Sequence, residues 1–278
     1  MRVAAVQLNS TNDKDRNLET ARRLVREAAS AGAELVALPE KWNLLAPPAE
    51  LEAGAEELEG GVSTEAARGW AREHGIHVLA GSIGERVAGA DRLFNTSALI
   101  DPSGGLIAVY RKIHMFDVEV GGVTYRESEA EQPGDEIVTA AAGAVEVGLS
   151  VCYDLRFPEL YRILAVRGAR LITVPSAFTL ATGRDHWEVL LRARAIENQA
   201  FVLAPNQVGE APPHYVSYGR SMIVDPWGVV LAQAADGENV IVADLDLERQ
   251  AALRESLPSL ANRRPEAYRW PDLSGVGS

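Results

Sequence analysis

Thiols are nearly absent from this chain: of its 278 residues only one, Cys152, is a cysteine. A lone cysteine cannot cross-link the polypeptide, so Cys152 reads either as a small core residue or as a nucleophile, and a reducing, cytoplasmic compartment is expected. Long apolar runs are missing too. Nowhere do about 18 apolar residues follow one another without charge, which argues against a membrane-spanning helix. Residues 1–8 form only a short apolar run that turns polar at once, unlike the h-region of a secretion signal. Positive charge is in deficit, with 27 basic against 39 acidic side chains and a formal charge of −12. That balance repels nucleic acid and anionic membrane surfaces. Histidines are few and scattered, at His74, His77, His114, His186 and His214. Only His74 and His77 are close, with Gly75 between them and no further ligand nearby, so neither a metal nor another cofactor is expected.

What is present is ordinary soluble composition, 47% hydrophobic and 24% charged, arranged as short β-rich runs alternating with amphipathic stretches, the pattern of an α/β fold. Strands are expected over residues 3–8, 35–38, 76–80, 96–100, 106–110, 145–151, 171–174, 201–204, 221–224, 229–232 and 240–243. Between the first two, Leu18, Ala21, Val25 and Ala28 recur at helical spacing, with Asp15 as N-cap and Gly32 as stop. Further helices are expected over 65–73, 158–166, 186–198 and 247–257. With no linker or low-complexity tract, residues 1–268 read as a single domain and 269–278 as a loose tail. Two segments resemble each other, each reading strand, Asp-Pro-x-Gly turn, strand: one turns at Asp101-Pro102-Ser103-Gly104, the other at Asp225-Pro226-Trp227-Gly228. They point either to a duplicated, two-layered sheet architecture or simply to a common turn used twice.

Cys152 follows the strand-like run 145–151 and precedes Pro158, a residue suited to the first turn of a helix. At such a junction a helix N-terminus eases negative charge on sulfur and raises the thiolate fraction; the alternative is a buried small hydrophobe. Glu40 ends the run Leu35-Val36-Ala37-Leu38-Pro39 where a buried strand gives way to a loop, and a partly dehydrated carboxylate there suits a general base. Lys112 closes the second strand of the first hairpin; a fixed ammonium beside a carbonyl stabilises an oxyanion. Taken singly, Glu40, Lys112 and Glu127 also read as ordinary solvated charges. A serine hydrolase does not fit, because Gly148-Leu149-Ser150-Val151-Cys152 puts cysteine where a nucleophile elbow needs its second glycine.

Taken together these segments resemble the nitrilase superfamily. Leu38-Pro39-Glu40, Tyr110-Arg111-Lys112-Ile113-His114-Met115-Phe116-Asp117 and Val151-Cys152-Tyr153-Asp154-Leu155-Arg156-Phe157-Pro158-Glu159 occur in that family's order and approximate spacing. The likeness continues through Pro175-Ser176-Ala177-Phe178, the stretches 182–188 and 192–198, and 218–228. Within the superfamily the form Cys152-Tyr153-Asp154 followed by Arg156-Phe157-Pro158-Glu159 resembles the Nit-type amidases, the ω-amidase and deaminated-glutathione amidase branch. Nitrilases proper usually carry Cys-Trp-Glu at this point, and N-carbamoyl-amino-acid hydrolases carry paired arginines where this chain has Leu155-Arg156.

The resemblance implies a four-layer αββα sandwich, a homodimer or larger assembly, no cofactor and a small amide substrate. It implies Glu40 as general base, Lys112 as oxyanion stabiliser, Cys152 as nucleophile forming a thioester and Glu127 as a supporting acid. The backbone N–H of Tyr153 would join the oxyanion site, with Arg156 and Phe178 on the substrate. Arg156 could bind a substrate carboxylate bidentately or form a structural ion pair with Asp154 or Glu159. The stretch Val120-Gly121-Gly122-Val123-Thr124 departs from the Pro-Gly loop of many relatives. Other superfamily activities (aliphatic amidase, N-carbamoyl hydrolase, nitrilase) and a non-catalytic scaffold are the competing readings; a scaffold is expected to lose a member of the triad, and none is lost here.

Overall fold

In the computed structural model residues 1–213 and 215–269 are described, so His214 and all but the first residue of the expected tail lie outside the described residues. The strands of the first half are β1 (Arg2–Gln7), β2 (Leu35–Ala37), β3 (His77–Leu79), β4 (Ile83–Glu85), β5 (Phe94–Ile100), β6 (Leu106–Arg111), β7 (Asp117–Val120) and β8 (Val123–Arg126). The second half supplies β9 (Thr139–Ala142), β10 (Val145–Leu149), β11 (Leu171–Thr173), β12 (Phe201–Ala204), β13 (Val208–Ala211), β14 (Tyr215–Tyr218), β15 (Met222–Val224), β16 (Val230–Gln233) and β17 (Asn239–Asp244). Helices are α1 (Lys14–Ser30), α2 (Pro48–Ala53), α3 (Val62–His74), α4 (Pro158–Val166), the short α5 (Leu180–Thr182), α6 (Glu188–Asn198) and α7 (Leu247–Ser256).

Two sheets form the centre. One runs β17-β1-β2-β3-β5-β4 with β6 also on β5; the other runs β16-β15-β12-β11-β10-β9. Strand β1 explains why its whole run is apolar: Val3 and Ala5 enter the core between the sheets, while Ala4 and Val6 face α1 and α3. On the far side α4 and α6 cover the second sheet through Leu160, Tyr161, Leu164, Leu191 and Ala195. The layers are therefore helix, sheet, sheet, helix, the expected sandwich. The duplication is real in its pairings. In one sheet β1, β2 and β3 pair in parallel, followed by antiparallel β5 and β6; in the other β10, β11 and β12 pair in parallel, followed by antiparallel β15 and β16. The two Asp-Pro-x-Gly turns match atom for atom. Asp101 Oδ1 accepts from the N–H groups of Ser103 and Gly105 at 2.7 and 2.9 Å, and Asp225 Oδ1 from those of Trp227 and Val229 at 2.9 and 2.8 Å.

Local departures from the expected elements have local causes. Asp13, not Asp15, caps α1, because its side chain accepts the Arg16 N–H at 3.0 Å; Asp15 sits inside the first turn, where negative charge meets the positive end of the helix dipole. The helix expected from residue 186 begins as α6 at Glu188, after α5 and a wide turn over Gly183–Trp187. Gly121 and Gly122, the departure noted above, form a two-residue hairpin loop between β7 and β8 with φ of 60° and 76°, the left-handed pair that a tight hairpin requires.

Candidate active site

Strand ends from both halves meet at one rim. Glu40 stands just beyond β2, Lys112 directly beyond β6, Cys152 beyond β10 and Ala177 beyond β11. The loop carrying Glu40 is pinned from below: a Cβ on Gly81 would lie 1.9 Å from the Pro39 carbonyl oxygen, so only glycine lets the two chains cross there. The Ser82 N–H then donates to Pro39 O at 3.2 Å and the Lys41 N–H to Ser82 Oγ at 3.1 Å. From the other half, the Gln207 side chain donates to the Glu40 carbonyl at 2.9 Å.

Lys112 is 1% exposed, and its ammonium lies 3.0 Å from Glu40 Oε1 and 2.9 and 2.8 Å from the two oxygens of Glu127. The remaining lone pairs are also occupied. Ala177 N–H donates to Glu40 Oε2 at 2.8 Å, Phe116 N–H to Glu127 Oε2 at 2.6 Å, and Asn95 Nδ2 reaches both acids at 2.9 and 3.2 Å. The carboxyl of Glu127 is thus held although it follows the unusual Gly121-Gly122 hairpin.

Cys152 takes a left-handed conformation, φ 48°, and donates its N–H to Pro175 O at 2.9 Å. Such a conformation persists only where neighbours over-determine it. Asp154, fully buried, accepts from Val151 N–H at 2.8 Å and from the Tyr110 hydroxyl at 2.7 Å, and its other oxygen meets His114 Nδ1 at 2.7 Å. The His114 ring stacks on Phe157 at 3.6 Å, and Arg194 of α6 donates twice to Leu155 O, at 3.0 and 2.7 Å.

The expected helix effect on the thiol does not hold. Cys152 opens a tight 3₁₀ turn, Cys152–Arg156, and α4 begins only at Pro158. Burial and the neighbouring Glu40 carboxylate push the thiol well above its ordinary pKa, against the pull of Lys112. The resting sulfur is therefore a protonated thiol beside a carboxylate. Burial works against the charge on Lys112, yet Glu127, Glu40 and Cys152 together raise its pKa well above the usual lysine value. Glu127 is likewise opposed by burial, but Lys112 and Lys41 hold it below the usual carboxylate range.

A cavity of about 330 Å³ opens onto Glu40, Lys112, Glu127 and Cys152. Leu45, Pro47 and Leu51 from the chain after β2 and Pro212 and Tyr215 from the β13–β14 hairpin wall it with apolar surface. Beyond Cys152 lies a much smaller recess lined by Tyr153, Arg156, Phe178, Thr179 and Thr182. Arg156 pairs with neither Asp154 nor Glu159 among the described contacts. Asp154 is already occupied as above, and the Arg156 guanidinium instead lies over the rings of Phe178 and Tyr153, at 5.3 and 5.9 Å, and 3.2 Å from His186 Nδ1. The residues expected at the site, Glu40, Lys112, Glu127, Cys152, Arg156 and Phe178 through their side chains and Tyr153 through its backbone, thus line two chambers that meet at Cys152. Missed in the sequence were Asn95, Lys41, Glu131 and the anchoring role of Asp154. Asn95, just before the run expected as a strand from Thr96, becomes a signal only through its burial in β5, since a buried amide needs a polar partner.

Residues 2–255 match the carbon-nitrogen hydrolase family model. The chain is 41% identical over 268 residues to the omega-amidase NIT2 of Mus musculus, covering 96% of each chain. It is 44% identical over 276 residues to the deaminated glutathione amidase of Homo sapiens, covering 96% of this chain and 83% of that one. The crystal structure of Nit3 from Saccharomyces cerevisiae, a member of the nitrilase superfamily, superposes with a TM-score of 0.87 at 32% identity, covering 96% of this chain and 97% of the other. With the sandwich, its rim of strand ends and this likeness along nearly its whole length, the chain belongs to the carbon-nitrogen hydrolase family of the nitrilase superfamily.

Proposed function

We propose that this enzyme hydrolyses a small, carboxylate-bearing amide through a thioester on Cys152. The class of activity follows from the family and its relatives: it is an amidohydrolase acting on non-peptide carbon–nitrogen bonds, of the omega-amidase and deaminated-glutathione amidase kind. In the reaction Glu40 takes the proton of Cys152 as sulfur attacks the amide carbon, so the buried thiol ionises only as the new bond forms. Charge developing on oxygen is met by the Lys112 ammonium and the Tyr153 N–H. The carbon–nitrogen bond then breaks, Glu40 returns the proton to the departing nitrogen, and the acyl group remains on sulfur. Water, deprotonated by Glu40, attacks the thioester and releases the acid and the thiol. Glu127 holds Lys112 in place. Arg156, with no acid paired to it among the described contacts, is free to take a substrate carboxylate, and Phe178 flanks that chain.

One observation carries this reading: the Cys152 thiol opens onto the same cavity as the Glu40 acid, which a buried ammonium holds in place at 3.0 Å. Cys152→Ala is expected to abolish turnover with the fold intact, and intact-mass spectrometry with a slow amide is expected to show an acyl adduct on the Cys152 peptide. Retained turnover, or an adduct elsewhere, sinks the mechanism. Assaying α-ketoglutaramate, deaminated glutathione, a simple aliphatic amide and a nitrile for released ammonia or amine separates the substrate classes.

The reading extends to assembly and compartment. Ile163 and Val166 on α4, Val189 and Ile196 on α6, and Trp227 and Val229 on the β15–β16 hairpin are exposed apolar side chains of one surface, joined by the Arg192 hydrogen bond to Gly228 O at 2.8 Å. A second copy of the chain covers this face in a homodimer. An enzyme whose nucleophile is a free thiol suits the reducing cytoplasm.

A further inference from the structure

Behind Lys112 lies a second ammonium, that of Lys41. It is 3.0 and 3.1 Å from the two oxygens of Glu131 and 3.8 Å from Glu127 Oε1, and it lines the same cavity. Glu131 is 1% exposed and its backbone is fixed: its N–H donates to Glu127 O at 3.0 Å, and Leu93 N–H and Gln132 N–H tie the segment to the start of β5 at 3.1 and 2.8 Å. Three carboxyl groups, Glu40, Glu127 and Glu131, therefore share a largely buried site with two ammonium groups, Lys41 and Lys112. Fully ionised, the cluster carries one uncompensated negative charge, and like charges about 4 Å apart repel by several kcal/mol at a surface-like dielectric. A proton on one carboxyl relieves that charge. Glu127 accepts from the Phe116 N–H, from Asn95 and from Lys112, which favours its ionised form, and the Glu40 oxygens are already occupied by the Ala177 N–H, Asn95 and Lys112. Glu131 has the Lys41 ammonium as its one donor among the described residues, 3.0 Å from Oε1 and 3.1 Å from Oε2, with no backbone N–H or amide on either oxygen.

We infer that Glu131 keeps its proton at neutral pH, hydrogen-bonds through it to the Glu127 carboxylate, and forms with Lys41 an inner clamp that positions that carboxylate on the Lys112 ammonium. The inference rests on the oxyanion role given to Lys112 above. The direction of titration agrees: burial and Glu127 push Glu131 up to about 8, with Lys41 opposing, whereas Lys112 and Lys41 lower Glu127. The charged groups facing Glu131 are Lys41 from the loop after β2, Lys112 from the end of β6 and Glu127 from its own turn. Once Glu131 ionises, the clamp loses its donor, Glu127 is repelled, and Lys112 is drawn out of line.

Glu131→Gln keeps a donor and no charge. Its kcat at neutral pH is expected to stay within about threefold of the parent, since a neutral donor to Glu127 remains. Its alkaline fall in kcat should disappear, while Glu131→Ala loses roughly tenfold through misplacement of Glu127. Lys41→Met removes the cation opposing protonation of Glu131, so its alkaline fall should move to higher pH; a packing role would not move it. An unchanged alkaline limb in Glu131→Gln, or one that stays in place or moves to lower pH in Lys41→Met, overturns the clamp. Should Glu131→Gln not fold, the direction of the Lys41→Met shift decides. Infrared spectra of the resting enzyme separate the clamp from the mechanism: the parent should lose a protonated-carboxyl band between neutral and alkaline pH that Glu131→Gln lacks. That band is independent of turnover, so failure of the Cys152 chemistry leaves it standing, and its absence overturns the clamp even in an active enzyme.

Discussion

An ammonium as deeply buried as that of Lys112 persists because two carboxylates surround it; removing it leaves Glu40 and Glu127 facing each other with no cation between them. Breaking a buried pair from one side costs about 3–5 kcal/mol, and losing an oxyanion donor costs about 10²–10³ in rate. Lys112→Met is therefore expected to lower both the urea midpoint and kcat, and Glu127→Gln added to it should recover part of the stability and none of the rate. Cys152 makes a different demand. Its folded pKa is raised above the ordinary thiol value, so in alkaline solution the unfolded chain releases a proton that the folded chain keeps. The thiol's contribution is whole below the ordinary value and is lost as pH rises toward the folded one. Urea titrations should show the parent losing stability above the thiol range faster than Cys152→Ser; parallel curves would contradict the direction. At this scale Glu40, Lys112, Cys152 and Glu127 were legible because they fall within recognisable segments. Lys41 and Glu131 were not, because a charged residue in a polar stretch reads as solvated until loops from elsewhere bury it.

Elements built on apolar runs were legible for a plain reason: most of β1 and all of β2, β11 and β12 are buried on both faces and read as near-continuous hydrophobic stretches, and β10 is interrupted only by Glu146 and Gly148. The hairpins β7–β8 and β13–β14 were missed because each strand is only four residues long, with charged and small residues breaking up the apolar ones. Yet the first of them delivers Glu127. Two substitutions test how elements hold the site. Gly81→Ala forces its new Cβ against the Pro39 carbonyl in a left-handed position, φ 36°, so the Glu40 loop must shift. A displacement of about 1 Å costs on the order of 10² in rate, and kcat should fall more than the affinity for substrate. Asp154→Ala strips the Val151 N–H, the Tyr110 hydroxyl and His114 of their buried acceptor. A loss of about 3 kcal/mol or more is expected in the urea midpoint; a change under about 1 kcal/mol would show that the turn at Cys152 does not depend on it.

For the whole molecule, the layered fold was visible in the alternation of strand and helix, and the paired Asp-Pro-x-Gly turns were the outward trace of its duplication. Which helices remain uncovered could not be read, because exposure depends on how the layers stack. If α4, α6 and the β15–β16 hairpin form the dimer face, Val189→Glu with Ile196→Glu, at 65% and 51% exposure, should convert the dimer to a monomer in light scattering. A monomeric parent would contradict the assembly.

Strand β17, from the last part of the chain, lies against β1, from the first, along six residue pairs from Arg2 with Asp244 to Gln7 with Asn239. The polypeptide is thereby buckled shut: the half that bears the acids and the lysine cannot melt without releasing the half that bears the sulfur. Calorimetry should record one endotherm for both, and the enzyme should lose its catalytic power over that same interval rather than ahead of it.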